Sequence, residues 1–146
     1  MNQWSHLPNA KHIDRILESL KTNPDKWASV WKHAASRNEA WKEARNEAWK
    51  AAWNAARNAG ASRNEAWSAV RNAVRNAAMD AAWEVERDDA WVVAMDAIIA
   101  LIAYDDCAYM LESDLGELRM LAKLGDLRAI LLLSAREVFN MEKENE

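Results

Sequence analysis

Residues 39–58, EAWKEARNEAWKAAWNAARN, decide the fold class. Most of them are alanine, glutamate, lysine or arginine, which favour the α-helix. The 146 residues of the chain contain only 3 glycines and 2 prolines, and β or α/β folds need many more turn residues than that. The sequence therefore predicts an all-α helical bundle, folded as a single domain over residues 1–146.

The same stretch is part of an internal repeat with a period of 26 residues. The heptapeptide ASRNEAW begins both units, 35–60 and 61–86, and 13 of their aligned positions are identical. In each unit a serine stands three residues before a glutamate, a capping-box pattern that marks a helix start, and Gly60 suits the position just after a helix end. We expect a central pair of antiparallel helices over 35–86. One continuous helix over 24–59 is the alternative for the first unit, because only a serine marks the break.

Further helical patterns flank the repeat. Residues 9–34 predict two helices, one capped by Asn9 and one that starts at Pro24 with Asn23 as its cap. Residues 88–146 begin with a segment that is apolar almost all round, as expected for a helix buried at the centre of a bundle. The C-terminal helices should therefore supply the apolar centre of the bundle.

Two shorter helices are expected after this apolar segment. Ser113 and Asp126 are suited to cap them, and Gly125 is suited to end the first. Much of the core is predicted to come from eight large apolar side chains: Trp91, Val92, Ile98, Ile99, Leu101, Ile102, Leu131 and Leu132.

A finer period of four runs through the repeat, in which a tryptophan, arginine or methionine stands at every fourth position. Because an α-helix turns once every 3.6 residues, each step of four rotates the side chain by ~40° around the helix. We call these tryptophan, arginine and methionine side chains the ladder. They cannot all face one partner helix, so part of the ladder should lie on the surface. Tryptophan and arginine dominate protein interfaces, and the candidate partner-binding residues are Arg45, Trp49, Arg57, Arg63, Trp67, Arg71 and Arg75.

Charge is distributed unevenly along the chain. Residues 26–76 carry ten basic and four acidic side chains, whereas residues 77–146 carry six basic and sixteen acidic ones. Either the two parts fold against each other and neutralise, or the basic part meets an anionic partner. Asp96 lies inside the apolar segment and needs a buried partner, and an arginine of the repeat is the expected one.

Candidate catalytic and metal-binding residues are few. Asp105, Asp106, Glu112 and Asp114 lack the spacing of a calcium-binding loop and lie at a predicted helix junction, where carboxylates cap helices. Cys107 is the one cysteine, and the histidines are far from it in sequence, so we interpret it as a small core residue. We predict a protein without catalytic activity, metal or cofactor.

The sequence also bears on localisation. Its first twelve residues lack the basic and apolar pattern of a signal peptide. The longest apolar run, 91–104, includes an aspartate and is too short to span a bilayer. We therefore expect no membrane segment and a cytoplasmic protein.

The chain resembles a loose group of small Ala/Trp-rich accessory proteins of tailed bacteriophages. The tetrads of EAWKEARNEAWKAAWNAARN and RNAVRNAAMDAAWE are similar to the middle of that group. The segments HIDRILESLKTNPDKW (12–27), LIAYDDCAYML (101–111) and LAKLGDLRAILLLSA (121–135) look like its flanks. The resemblance implies an accessory gene product that acts in the host cytoplasm by occupying a surface of a host protein or ribonucleoprotein complex.

Three functions are compatible with these patterns. The first is a non-enzymatic binding protein that inhibits a host macromolecule, for example a defence nuclease complex such as CRISPR–Cas. The second is a nucleic-acid-binding protein that uses the basic Trp/Arg repeat. The third is a self-assembling helical scaffold, for which a homodimer is the simplest form.

Overall fold

The computed structural model describes the backbone of residues 4–35, 39–81 and 84–144, and the side chains of these residues outside 33–41, 78–89 and 143–144. This part of the chain is a helical bundle without a strand, which confirms the predicted all-α class. Its α-helices are α1 (Ala10–Thr22), α2 (Pro24–Ala35), α3 (Glu39–Asn58), α4 (Ala61–Ala81), α5 (Glu84–Ala103), α6 (Leu115–Lys123) and α7 (Leu127–Glu144), with a short 3-10 helix at Ala108–Leu111. None of the helices in the described ranges combines the length and the apolar character needed to cross a membrane.

Helix α5 lies at the centre of the bundle and packs against α1, α2, α3, α4 and α7. Each residue from 93 to 102 is buried, as the apolar character of this segment predicts. Six of the eight predicted core residues are at most 1% exposed: Ile98, Ile99, Leu101, Ile102, Leu131 and Leu132. Trp91 and Val92 are only partly buried and stand just before the stretch 93–102, in which every residue is buried.

A two-residue turn joins α3 to α4. Gly60 has a φ of +128° in this turn, a conformation that disfavours other residues, which confirms its predicted place after a helix end. The ring of Trp67 lies 5.4 Å from that of Trp49 and 5.9 Å from that of Trp53, so α4 folds back toward α3 after the turn.

The sequence repeat does not set the helix boundaries. Helix α4 ends at Ala81 and α5 begins at Glu84, so the unit 61–86 contains parts of two helices rather than one. The capping box predicted at Ser62 is also wrong, because α4 begins one residue earlier and Ser62 already lies inside the helix. The corresponding Ser36 lies outside the described residues.

One contact rules out a straight helix over 24–59. Trp31 and Arg45 are 14 positions apart, which would separate them by ~21 Å along a continuous helix. The guanidinium carbon of Arg45 instead lies 5.1 Å from the centre of the Trp31 ring. Helices α2 and α3 are therefore separate elements that fold toward each other.

The helix caps agree with the sequence in part. Asn23 and Pro24 begin α2 as predicted, and one oxygen of Asp126 accepts hydrogen bonds from the amides at the start of α7. Helix α6 is capped by Asp114, which accepts from the Glu117 amide at 3.0 Å, and not by Ser113. An ionised carboxylate is the stronger acceptor of the two neighbours, and it also suits the positive end of the helix.

Candidate partner-binding surface

The rotation of the ladder is visible along α4. Arg63 and Trp67 face the bundle, whereas Arg71 and Arg75 are exposed. Three steps of four residues rotate the side chain by ~120° between Arg63 and Arg75, which is enough to take it from the interior to the surface. The rotation inferred from the sequence therefore divides the ladder side chains of α4 into two that face the bundle and two that face solvent.

Helix α3 shows the same division. Arg45 is mostly buried, Trp49 and Trp53 are partly buried, and Arg57 at the end of the helix is exposed. The inner side of α3 is occupied by Ala48, Ala52 and Ala56, all fully buried. Among the described side chains, the series on α3 thus runs from the mostly buried Arg45 to the exposed Arg57, and that on α4 runs from Arg63, which faces the bundle, to the exposed Arg75.

At the buried end of the α3 ladder, Arg45 and Trp49 bind the carboxylate of Asp96. Arg45 donates two hydrogen bonds to it, from Nε to Oδ2 and from Nη2 to Oδ1, each at 2.6 Å. The indole Nε1 of Trp49 donates to Oδ1 at 3.0 Å. The side chains of Asp96 and Arg45 are 4% and 17% exposed. The predicted pairing of Asp96 with an arginine of the repeat is confirmed.

Burial changes the acidity of this carboxyl group. Desolvation raises the pKa of Asp96 from its ordinary value of 3.8 to about 6, while Arg45 and the Trp49 indole oppose the rise. The folded protein therefore binds a proton at Asp96 more readily than the unfolded chain does. The stability that follows from this difference is fully present below pH ~4 and is lost as the pH rises through ~6.

We expect the free energy of unfolding to show this dependence. Lowering the pH from 7 to 5 should stabilise the wild-type protein by about 1 kcal/mol relative to Asp96→Asn, which has no carboxyl group to titrate there. Urea unfolding of both proteins at each pH measures the difference, and the subtraction removes the contribution of the other carboxylates. Parallel pH profiles for the two proteins would contradict the raised pKa.

The buried end of the α4 ladder caps α5. Arg63 donates to the Ile102 carbonyl at 2.6 Å and makes two hydrogen bonds to the carboxylate of Asp105, at 2.8 and 3.0 Å. A cation at this point also suits the negative end of the helix dipole. Arg63 is therefore a structural residue and is not available to a partner.

Asn9 supplies a second cap at the same place. Its side chain is buried and donates to the carbonyls of Leu101 and Tyr104, at 2.8 and 2.9 Å. Asn9 stands at the N-cap position of α1 as predicted, and its carbonyl accepts from the amides of His12 and Ile13, but its side chain makes no cap hydrogen bond to that helix. The last carbonyls of a buried helix have no water to bind, and Asn9 satisfies two of them.

The indole rings of the ladder form a cluster between α3 and α4. Trp67 is 6% exposed and meets Trp49 and Trp53 edge to face. Of the seven candidate binding residues, Arg45, Trp49, Arg63 and Trp67 thus serve the fold. Their burial and the groups they already contact give these four side chains a structural role.

The other three candidates are exposed: Arg57 at the end of α3, and Arg71 and Arg75 on α4. The asparagines that follow them in the sequence, Asn58, Asn72 and Asn76, are exposed as well. We refer to these six residues as the exposed basic face. Within the part of the chain that the structure describes, none of these three guanidinium groups makes an ion pair or hydrogen bond. Arg71 and Arg75 are one turn apart on α4, and like charges at that spacing destabilise a helix. The exposed basic face therefore carries positive charge that no ion pair within the described residues neutralises.

The remaining candidate groups have structural partners. Asp105, Asp106 and Glu112 pair with different arginines, Arg63, Arg128 and Arg15, and the fourth acid caps α6. Among the described side chains no group of three or more His, Cys, Asp or Glu residues is arranged to hold a metal ion.

Cys107 lies in the core and donates weakly to the carbonyls of Ala100 and Tyr104. Burial raises the pKa of its thiol to about 12, despite the nearby cation of Arg128. The thiolate, which is the nucleophilic form, is therefore scarce at neutral pH.

Comparison of the chain with family models, with curated proteins and with solved structures finds no match. The basic face is thus defined by its own geometry and charge. The four-residue period indicates that part of the ladder is exposed but not which part. The roles of Asn9 and Arg63 at the end of α5 depend on contacts between distant segments and have no local signal.

Proposed function

We propose that this chain is a non-enzymatic binding protein that inhibits a host macromolecule, and that the exposed basic face is its contact surface. The observation that carries the proposal is the set of three exposed guanidinium groups without a partner, on helices whose other arginines are fully engaged in the fold. Arginine binds carboxylates and phosphates through two parallel hydrogen bonds and is enriched among the residues that dominate interfaces.

The target we favour is a defence nuclease complex such as CRISPR–Cas. A ribonucleoprotein of this kind offers both acidic protein surface and phosphate groups, either of which matches the basic face. The resemblance to phage accessory proteins supports this choice, as does the size of the chain, which suits occupation of one surface.

The test is reversal of charge at the centre of the face. Arg71→Glu combined with Arg75→Glu should weaken binding of the purified partner by about tenfold or more, because two anchor cations become repulsive. The Tm should move little, since neither guanidinium group makes an ion pair or hydrogen bond in the described part of the chain. The partner is first isolated from host lysate with the wild-type protein, and its affinity for each variant is then measured.

A charge-matched control uses Lys11→Glu with Lys32→Glu, two exposed substitutions on α1 and α2. This variant should bind as the wild type does. Equal binding by the Arg71 and Arg75 double variant would refute the proposed surface. A large fall in its Tm would instead place these arginines in the structural core of the bundle.

Nucleic-acid binding is the second candidate, favoured by the three Arg-Asn pairs of the basic face. Because the Trp49, Trp53 and Trp67 rings lie mainly inside the bundle, contact would be with phosphates rather than by stacking on bases. Binding of a random duplex through three arginines would fall with salt at a log–log slope of about −3. Absence of salt-dependent duplex binding would refute this second candidate and leave protein binding as the one remaining proposal.

A further inference from the structure

A second surface lies at the junction of α6 and α7. All four large apolar side chains that are exposed in the described part of the chain fall within residues 109–127: Tyr109, Met120, Leu124 and Leu127. Met120 is 56% and Leu124 is 76% exposed, and the two lie one turn apart at the end of α6. Scattered apolar side chains are ordinary on protein surfaces, but their concentration in one hairpin marks an interaction site.

An open groove of about 370 Å³ adjoins this hairpin. It is lined by Tyr104, Asp106, Asp126, Leu127 and Arg128. Leu127 thus belongs both to the exposed apolar set and to the wall of the groove. The groove gives the apolar surface a concave side against which a partner segment packs.

The charge of this stretch of the chain is mainly acidic. Residues 104–128 carry six acidic and three basic side chains, and two of the basic ones, Arg119 and Lys123, stand next to Met120 and Leu124 in the sequence. Arg128 is already paired with Asp106 and Asp126, and the side chain of Asp106 remains 79% exposed at the mouth of the groove. The surface therefore offers apolar contact next to carboxylates that still face solvent.

We propose that the α6–α7 hairpin is a docking surface for a basic amphipathic helix of another protein. The aliphatic side chains of such a helix pack on Met120, Leu124 and Leu127, and its lysines and arginines meet the exposed carboxylate of Asp106. Helices of this type bind apolar grooves through residues spaced three and four apart, and the exposed carboxylate favours a basic partner. This surface is distinct from the exposed basic face, which attracts partners of the opposite charge.

The probe is a fluorescein-labelled 18-residue peptide of leucine and lysine arranged with helical periodicity, titrated with the full chain in an anisotropy assay. A scrambled peptide of the same composition is the control for charge alone. We expect the amphipathic peptide to bind and the scrambled one to bind at least about tenfold more weakly. Equal binding of the two peptides would overturn the proposal.

Variants locate the binding on the hairpin. Met120→Ser with Leu124→Ser should weaken peptide binding by about tenfold or more, since both anchors are lost. Asp106→Asn should weaken it less and reduce its dependence on salt, whereas Asp25→Asn, at an exposed position on α2, should have no effect. Circular dichroism and the Tm verify that each variant is folded. Unchanged affinity of the folded Met120 and Leu124 double variant, with Asp106→Asn also unchanged, would refute the site.

Two further measurements separate the alternatives. Sedimentation velocity should find the wild-type chain monomeric, and self-association that the Met120 and Leu124 variant abolishes would show that a second copy covers the patch and would overturn the proposal. The Arg71→Glu and Arg75→Glu variant should keep its affinity for the peptide. Failure of the basic face as an interface would therefore leave this surface standing, and the reverse also holds.

Discussion

Asp96→Ala is expected to destabilise the protein by ~3–5 kcal/mol, because it leaves the guanidinium of Arg45 buried without its counter-ion. The two side chains share a pair of 2.6 Å hydrogen bonds, and few of their atoms reach water. Replacement of both residues by apolar ones of similar shape, Arg45→Met with Asp96→Leu, should recover most of the loss. Chemical denaturation of Arg45→Met, Asp96→Leu and the double variant measures the coupling.

The exposed pair Glu47 and Lys50 on α3 is a suitable control. Their side chains are 73% and 74% exposed and 3.7 Å apart, and removing either should change stability by less than ~1 kcal/mol. If the losses at Arg45 and Asp96 simply add, the two residues are not coupled, and the account of Asp96 as the link between α3 and α5 is wrong.

Ile99→Ala is expected to lower the free energy of unfolding by ~2–5 kcal/mol, through lost burial and the cavity left behind. Ile99 is fully buried in the part of α5 that is enclosed on every side. For a chain of this length the loss corresponds to a fall in Tm of roughly 5–15 °C, which differential scanning calorimetry measures directly.

Leu124→Ala is the matched control, since it removes a similar aliphatic group from a side chain that is 76% exposed. Its Tm should stay close to that of the wild type. A Tm for Ile99→Ala that equals the control value would place the core elsewhere than around α5.

The fold class and the central place of α5 could be predicted because both depend on local patterns. Alanine-rich tetrads favour helix wherever they lie, and a segment that is apolar on all sides has to be enclosed. The pairing of Asp96 with an arginine was predictable for a similar reason, since a buried carboxylate requires a partner. The choice of Arg45 rather than another arginine depends on how α3 packs against α5.

The candidate surface was predictable only in part. The four-residue period indicates that the ladder turns from inside to outside, but the period alone does not specify where the turn begins. That point is fixed by the tertiary contacts of Arg45 and Arg63, one with Asp96 and the other with the end of α5. The cap at Asp114 escaped prediction because the neighbouring Ser113 competes for the same role. The contact of Asn9 with the end of α5 escaped it because it joins segments that are distant in the sequence.

Four residues are slightly more than one helical turn, and this small difference also determines how the helices respond to insertions and deletions. An insertion or deletion of one residue rotates everything beyond it by ~100°, which moves a buried face into solvent. Gain or loss of a whole tetrad rotates the following residues by only ~40° and shifts them by ~6 Å. A gene segment of twelve-nucleotide units is thus able to expand or contract while the encoded helices stay amphipathic. Each such event rotates the arginines beyond it to a new direction around the helix. Binding specificity is then open to change through copy number as well as through substitution.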